Sequence, residues 1–192
     1  NGRMAVQFLD NSNLRLTEHS RVIIDEVIYD PNPSKSKMTM RFAMGTARFT
    51  SGLSANMNKA NINITTPTAV IGIRGTDFTT TIDELGRSLI VLLPDKDGNS
   101  SGEITVTNEA GSVTLDKAFQ ATMVSTIASA PVKPVTITNV TVAQIDNLFI
   151  VSPPTEITTA VEETRTENSS SNILTADFLE FNELETDYLA ED

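Results

Sequence analysis

Short apolar runs that alternate with polar residues are the feature that most constrains the fold of this chain. The longest unbroken run, Leu89 to Leu93, has five residues, whereas about 20 are needed to cross a bilayer. Alternation with a period of two is typical of strands with one buried face, and Gly, Pro, Asn and Asp cluster between the runs. This pattern predicts a fold of many short strands with one short helix and an extended C-terminal arm.

The alternating segments also predict the order of the strands. Gly45 is interpreted as the turn of a hairpin that joins residues 38–42 to residues 46–50. The segments between 77 and 115 are interpreted as a meander. The predicted strands cover residues 4–9, 14–17, 21–29, 38–42, 46–50, 77–82, 88–93, 103–107, 112–115 and 118–127.

Four regions follow from the changes in composition. Residues 1–138 form the predicted β domain, and residues 139–154 a short helix with a Pro-rich exit. Residues 155–172 are rich in Thr, Glu and Ser and are predicted to be a linker. Residues 173–192 form an acidic amphipathic tail that could dock on a partner as a helix or remain solvated and disordered. Its predicted docking residues are Leu174, Phe178, Phe181 and Leu184.

Charge and cysteine content exclude several classes of function. The net charge is −11, and residues 155–192 contribute −10 of it because they hold eleven acids and one base. The remaining chain is nearly neutral and lacks the basic cluster that phosphate binding requires, so nucleic acid is not expected as a partner. The chain has no Cys, which excludes disulfides, thiolate nucleophiles and Cys-based metal sites.

The sequence offers few candidate catalytic or metal-binding residues. His19 is the only histidine, and no nucleophile motif accompanies it. The segment from Asp95 to Asn99 is rich in oxygen ligands, but Ser100 and Val106 stand where a calcium loop needs Gly and Glu. We therefore expect no catalytic residue, no cofactor and no metal, and the chain is expected not to be an enzyme.

The segment from Gly72 to Phe78 places an arginine between two glycines, ahead of Thr76 and Asp77. We predict a tight structural corner in which Arg74 pairs with Asp77 and the hydroxyl of Thr76 closes a turn. The functional alternative is a pocket in which Arg74 grips a carboxylate of a partner.

Several of these segments resemble the FecR-like domain family. The similarity covers residues 2–120, through Gly2 to Ser12, Ser20 to Pro31 and Gly45 to Gly52, and it is densest from Thr66 to Phe78. The resemblance implies an all-β fold, a multi-stranded sandwich or solenoid-like domain, without enzymatic activity. It also implies that the first strands of the family are absent from this chain. The residues expected to form its structural motif are Thr66, Pro67, Gly72, Arg74, Gly75, Thr76, Asp77 and Phe78.

The resemblance leaves two functions open. The first is a structural component of a virion, such as a phage tail, neck or baseplate, or of another extracellular assembly. Such a module binds protein subunits of the same assembly, as a homo-oligomer or within a larger complex. The alternative is the periplasmic signal-sensing domain of a FecR-type anti-sigma regulator, and an oligomer in solution would favour the first over the second.

Overall fold

The computed structural model describes residues 2–32, 34–52, 61–138 and 155–173, with side chains of the last segment described to residue 166. These residues form twelve strands and one helix, α1 (Thr155–Ile173). The strands are β1 (Met4–Gln7), β2 (Asn13–Leu16), β3 (Arg21–Ile28), β4 (Lys37–Thr50), β5 (Ile62–Thr65), β6 (Val70–Arg74), β7 (Asp77–Ile82), β8 (Ser88–Leu92), β9 (Glu103–Asn108), β10 (Gly111–Leu115), β11 (Gln120–Val124) and β12 (Val135–Thr136).

Strand β4 is continuous through Gly45, so the predicted hairpin is wrong. Gly45 has φ +79°, and an added Cβ would lie 2.6 Å from the Cα of Ser20. The Ser20 hydroxyl accepts the Thr46 N–H (3.0 Å) and donates to the Thr46 carbonyl (2.9 Å). The alternation also changes phase here, because Phe42 is buried before the glycine and Ala47 after it. Gly45 therefore bends one strand and re-aims its side chains, and the chain does not reverse.

The bend makes β4 a member of two sheets. Sheet 1 has the order β1-β2-β4-β7-β8-β11-β12, and sheet 2 has the order β10-β9-β6-β5-β4-β3. The all-β prediction is confirmed. The predicted meander is wrong, because β7 pairs with β8 in sheet 1 while β9 pairs with β10 in sheet 2. The main core lies between the two sheets and includes Phe42, Phe49, Phe78, Ile71, Ile90 and Val106.

Helix α1 covers part of the outer face of sheet 1, where the sequence predicts a linker over residues 155–172. Ile157 (0% exposed) and Ala160 (8% exposed) pack in a second core with Leu89, Val91 and Met123. Ile157, Ala160 and Val161 form a short stripe with helical spacing, and burial of that stripe stabilises a helix that composition alone does not predict.

Two further predictions fall outside the described residues. These are the short helix at 139–154 and the docking residues Leu174, Phe178, Phe181 and Leu184. Among the residues that the structure does describe, no helix combines the length and the apolar character needed to cross a membrane.

Candidate binding surfaces

The predicted motif connects the two sheets. Thr66 and Pro67 lie in the turn between β5 and β6, where the Thr66 hydroxyl accepts the N–H groups of Ala69 (3.1 Å) and Thr68 (3.3 Å). The side chain of Thr68 then donates to the hydroxyl of Ser88 in sheet 1 (2.8 Å). This turn therefore ties β5 and β6 of sheet 2 to β8 of sheet 1.

The corner between β6 and β7 depends on glycine at two positions. Gly75 has φ +58°, in the left-handed region that favours glycine. Gly102 packs directly on this corner, and a Cβ there would lie 1.8 Å from the Gly75 carbonyl oxygen. Gly72 differs, because a Cβ would make an ordinary 3.7 Å contact with the Thr105 carbonyl oxygen. Of these three glycines, Gly75 and Gly102 are the ones that the corner requires.

Asp77 pairs with Arg48, so the predicted pair between Arg74 and Asp77 is wrong. The Arg48 Nε and Nη2 donate to the two Asp77 carboxylate oxygens at 2.9 and 2.6 Å. The Arg48 and Asp77 side chains are 19% and 15% exposed. Arg74 is exposed on β6, opposite Glu103. Arg74 and Asp77 lie apart because Arg74 ends a strand of sheet 2 and Asp77 begins a strand of sheet 1.

Ser51 closes the corner through its hydroxyl and its backbone N–H, where the Thr76 hydroxyl was expected to do so. The Thr76 N–H donates to the Ser51 hydroxyl (2.9 Å), and the Ser51 N–H donates to the Thr76 carbonyl (2.9 Å). The Thr76 Oγ1 is buried without a hydrogen-bond partner among the described residues. Phe78 is fully buried, with its ring centroid 6.3 Å from Phe42 and 6.0 Å from Phe49. The motif therefore holds the two sheets together.

A cleft of about 570 Å³ lies beside this corner and includes Arg48, Asp77, Lys96 and Ser101. Its most buried charged groups, Arg48 and Asp77, bind each other, and Ser101 Oγ donates to the Leu93 carbonyl (2.7 Å). The Asp95 carboxylate accepts the N–H groups of Asp97 and Asn99 at 2.9 Å each, as in an ordinary turn. These side chains support the local backbone.

The remaining candidate catalytic residue, His19, lies away from this corner. His19 is exposed in the turn between β2 and β3 and has φ +57°. Across the described ranges, no three residues among His, Cys, Asp and Glu come together as metal ligands.

A second surface, which sequence reasoning missed, is an apolar seam between the edges of β1 and β3 that pair with no strand of the described residues. We call it the open seam, and Met4, Val6, Ile24 and Val27 define it. Cross-strand partners share one face of a sheet, and Ile24 and Val27 lie opposite Met40 and Met38. Both methionines are fully buried, whereas Ile24 and Val27 remain 44% and 39% exposed. Core-facing side chains of β3 are thus open to solvent.

Strand β1 forms the other wall of the open seam. Met4 and Val6 lie opposite Leu16 and Leu14 on the core face of sheet 1. Met4 is 58% exposed, and Val6 is only partly buried, although Leu14 beside it is 1% exposed. The core of the sandwich is therefore exposed along the seam.

Two clefts lie beside strand β1. The first, of about 240 Å³, is on the outer face of sheet 1, where Arg3, Arg15 and Arg48 point away from the core-facing Met4, Leu14 and Leu16. The second, of about 210 Å³, is apolar and lies between the ends of β1 and β3, where Phe8, Leu9, Val27 and Tyr29 line it above buried Met38. The arginines therefore lie on the opposite face of sheet 1 from the open seam.

Carboxylates on β3 are already bound by β4. Arg41 Nε and Nη2 donate to the two Asp25 oxygens at 2.8 and 2.7 Å, and Lys37 lies 2.7 Å from Glu26. The hydrogen bonds from Arg41 lower the pKa of Asp25, and the same bonds raise the pKa of Arg41. Both carboxylates are therefore neutralised by bases on β4.

One signal in the sequence could have indicated this surface. Val27, Ile28 and Tyr29 are three consecutive apolar residues at the end of a strand, so both faces of that strand are apolar. A strand at the edge of a solvated sheet is expected to be apolar on one face only.

Comparison with known proteins identifies relatives of the β domain. The family model described as FecR protein matches residues 1–114. Two solved structures of a candidate anti-sigma factor from Parabacteroides distasonis are similar at 13% and 14% identity, with TM-scores of 0.44 and 0.45. Each alignment covers 65% of this chain and 51% of the solved one, so the chain spans about half the length of those proteins. No curated protein matches the chain.

Proposed function

Because the chain belongs to the FecR family, we propose that it is a non-catalytic, protein-binding domain of a FecR-type regulator in the periplasm. The family match over residues 1–114 supports the type of protein. The best-known members of the family, as the resemblance implies, receive a signal from a transporter in the periplasm and control a sigma factor in the cytoplasm. The domain proposed here serves the periplasmic step.

The open seam is the observation that carries this proposal. Exposed apolar surface on a soluble domain marks an interaction site when it is contiguous. Met4, Ile24 and Val27 are 39–58% exposed although they face the core. Burial of such surface by a partner contributes roughly 25 cal/mol per Å².

The chemistry of the described side chains supports a binding role over a catalytic one. In the cleft beside the corner, Arg48 neutralises Asp77, and the Ser101 hydroxyl is engaged by backbone carbonyls at Leu93 and Asp77. A nucleophilic hydroxyl needs a neighbouring general base, whereas the acceptors of the Ser101 hydroxyl among the described residues are these backbone carbonyls.

The virion and assembly interpretation finds no support in the comparisons. It would require neighbouring subunits of one particle as partners and an oligomer in solution. We propose instead a monomer that binds one different protein.

The experiment that tests this function places a photo-crosslinking residue at Ile24 in the cell that encodes the chain. Leu85, 80% exposed in the turn between β7 and β8, is the control position because it is apolar and lies outside the seam. We expect a discrete adduct at Ile24 with an envelope protein, none at Leu85, and a changed transcript level for a defined gene set when the adduct forms.

Two outcomes would contradict the proposed function. One is an adduct with a particle subunit or with a second copy of the chain. The other is an oligomer of fixed size in light scattering over about a hundredfold range of concentration, because a monomer is expected at every point.

A further inference from the structure

We propose that the outer face of sheet 1 beneath helix α1 binds an amphipathic helix of a partner protein, and that α1 occupies this face until the partner displaces it. We call this surface the covered face, and Leu89, Val91, Ala121 and Met123 define it. The inference goes beyond the proposed function, because the covered face shares no residue with the open seam.

Strand β8, which crosses the covered face, is apolar on both of its sides. Ile90 and Leu92 point into the main core, whereas Leu89 and Val91 point outward, and all four are at most 5% exposed. A continuous apolar run of this kind is typical of a strand in a sheet that is covered on both faces. The outward residues of β11 lie opposite those of β8 and continue the same surface. The covered face is therefore an apolar surface that requires a second layer.

The pairing of β8 indicates the backbone conformation of the ligand. β8 pairs with β7 on one side and with β11 on the other, so it has no free edge. An added strand would find no N–H or C=O group of β8 to pair with, whereas a helix bonds these groups internally and packs through its side chains. Helix α1 already lies here, with Ile157 and Ala160 in the second core. The geometry therefore favours a helix as the ligand.

Helix α1 buries apolar surface along only part of its length. Between residues 155 and 166 its apolar side chains are Ile157, Ala160 and Val161, and the next position of the same stripe is the half-buried Thr164. The Thr164 hydroxyl donates to the Ala160 carbonyl of its own helix (2.8 Å). The apolar stripe thus ends after about two turns of a helix of 19 residues.

The composition of α1 also makes it a weak helix on its own. More than half of its residues are Thr, Ser or Asn, which favour a helix less than Ala, Leu or Glu do. The hydroxyls of Thr159 and Thr166 donate to carbonyls one turn earlier, at 2.9 Å each, an arrangement that slightly destabilises a helix. Contacts of its first turns with the sheet therefore hold α1 in place. We expect α1 to open locally while the two sheets remain folded.

The limits of the family match agree with a separable cover. The match ends at residue 114, so it includes β8 and excludes β11, β12 and α1. The apolar outer side of β8 thus belongs to the matched domain, whereas the helix that covers it does not.

The incomplete stripe of α1 indicates the side chains of the partner. An aliphatic residue at the position of Thr164 would continue the stripe and bury more apolar surface than α1 does. The partner helix would therefore carry aliphatic residues at i, i+3, i+4 and i+7, with strong helix formers on its outer side. Because α1 is tethered to the same chain, the fraction of molecules in which α1 is open sets the observed affinity.

A synthetic helix tests this displacement with the whole chain. The probe has the sequence of residues 155–166 with Thr158→Ala, Thr159→Ala and Thr164→Leu, acetylated and amidated ends, and a fluorescent label for anisotropy. In the chain, Ile157→Asp places a carboxylate at a fully buried position of the second core and should release α1. We expect this variant to bind the probe with a Kd of about 10–300 µM, and the unmodified chain to bind it at least about tenfold more weakly.

Hydrogen exchange of the unmodified chain is a second measurement that does not depend on the folding of the Ile157→Asp variant. We expect α1 amides to exchange at least about tenfold faster than those of β8. Probe at about 1 mM should speed exchange in α1 and leave β8 unchanged.

Two leucine substitutions in α1 complete the test. Thr164→Leu extends the apolar stripe and should slow exchange in α1 by about threefold or more. Thr159→Leu adds the same side chain on the exposed face of the helix and should not slow it.

Each other outcome overturns the proposal. These outcomes are no binding of about 1 mM probe to a folded Ile157→Asp variant, equal affinities of that variant and the unmodified chain, exchange in α1 as slow as in β8, and a dimer of the variant that excludes the probe. The last outcome would assign the covered face to a second copy of this chain.

The test separates this inference from the proposed function. An envelope protein crosslinked at Ile24, together with no binding of the probe, would reject the displaceable helix and retain the function. Displacement of α1 by the probe without any adduct at Ile24 would do the reverse.

Discussion

Two arginines of this chain differ in what each one contacts, and that difference predicts their contributions to stability. Arg48 and Asp77 form a bidentate pair in which each side chain is at least four-fifths buried, while Arg74 is exposed. We expect Arg48→Met to lower the free energy of unfolding by about 1–3 kcal/mol, between the values for surface pairs and buried pairs. Urea denaturation followed by circular dichroism measures this change.

Arg74→Met is the matched control, because it removes the same charge three residues from Asp77. An exposed substitution of this kind changes stability by at most about 0.5 kcal/mol. A larger loss for Arg74→Met than for Arg48→Met would contradict the pairing seen in the structure.

Glycines of the motif region offer a second comparison of single residues. A Cβ at Gly102 would lie 1.8 Å from the Gly75 carbonyl oxygen, a clash that only backbone movement relieves, whereas Gly72 has room for a Cβ. We expect Gly102→Ala to lower the free energy of unfolding by about 3 kcal/mol or more. Gly72→Ala should leave it unchanged or raise it slightly. Thermal unfolding of both variants tests this, and equal melting temperatures would refute it.

Sequence reasoning assigned the wrong partners to the side chains of the predicted motif. Periodicity tells which side chains share a face of one strand, and Arg74 and Asp77 lie on strands of different sheets. The true partner, Arg48, is distant in sequence, and no local pattern relates it to Asp77. The open seam was missed for the same reason, since its walls come from strands that do not pair.

At the scale of elements, the start of helix α1 predicts a pH-dependent contribution to stability. The Glu156 carboxylate accepts hydrogen bonds from its own N–H and from the N–H and hydroxyl of Thr138, and these bonds lower the pKa of Glu156. A depressed folded-state pKa stabilises the fold above the ordinary glutamate value, and this stabilisation is lost as pH falls through the folded-state pKa.

Urea midpoints of the unmodified chain and Glu156→Gln, measured from pH 7 to pH 3, test this contribution. We expect a constant difference above about pH 5 that shrinks as the solution becomes more acidic. Thr159→Ala, on the exposed face of the same helix, controls for changes in helix propensity. A difference that grows toward acid pH would contradict the assignment.

Element boundaries were predicted better than connections between elements. The predicted segments 77–82 and 112–115 lie within a residue or so of β7 and β10, because alternation and turn residues are local signals. Gly45 was misread because a glycine that bends a strand and one that ends a hairpin look alike in sequence. Helix α1 was missed because its stabilising contacts are with sheet 1.

At the scale of the whole molecule, sharing of β4 predicts that the two sheets unfold together. Residues 37–42 and 44 pair with β3, and residues 45–50 pair with β7, so neither sheet keeps its pairing if this strand is lost. The main core also takes Ile71 and Val106 from sheet 2 and Phe78 and Ile90 from sheet 1. Unfolding of either sheet would therefore expose the apolar face of the other sheet to solvent.

Gly45→Ala tests this coupling, because its Cβ would lie 2.6 Å from the Ser20 Cα at φ +79°. Gly98 has φ +83° with nothing within 4 Å, so Gly98→Ala carries the cost of the dihedral without the clash. We expect Gly98→Ala to lower the free energy of unfolding by about 1–2 kcal/mol, and Gly45→Ala to lower it clearly more.

Hydrogen exchange of the Gly45→Ala variant should show equal losses of protection in β6 and β9 of sheet 2 and in β7 and β8 of sheet 1. Loss confined to one sheet would mean that β4 does not couple them.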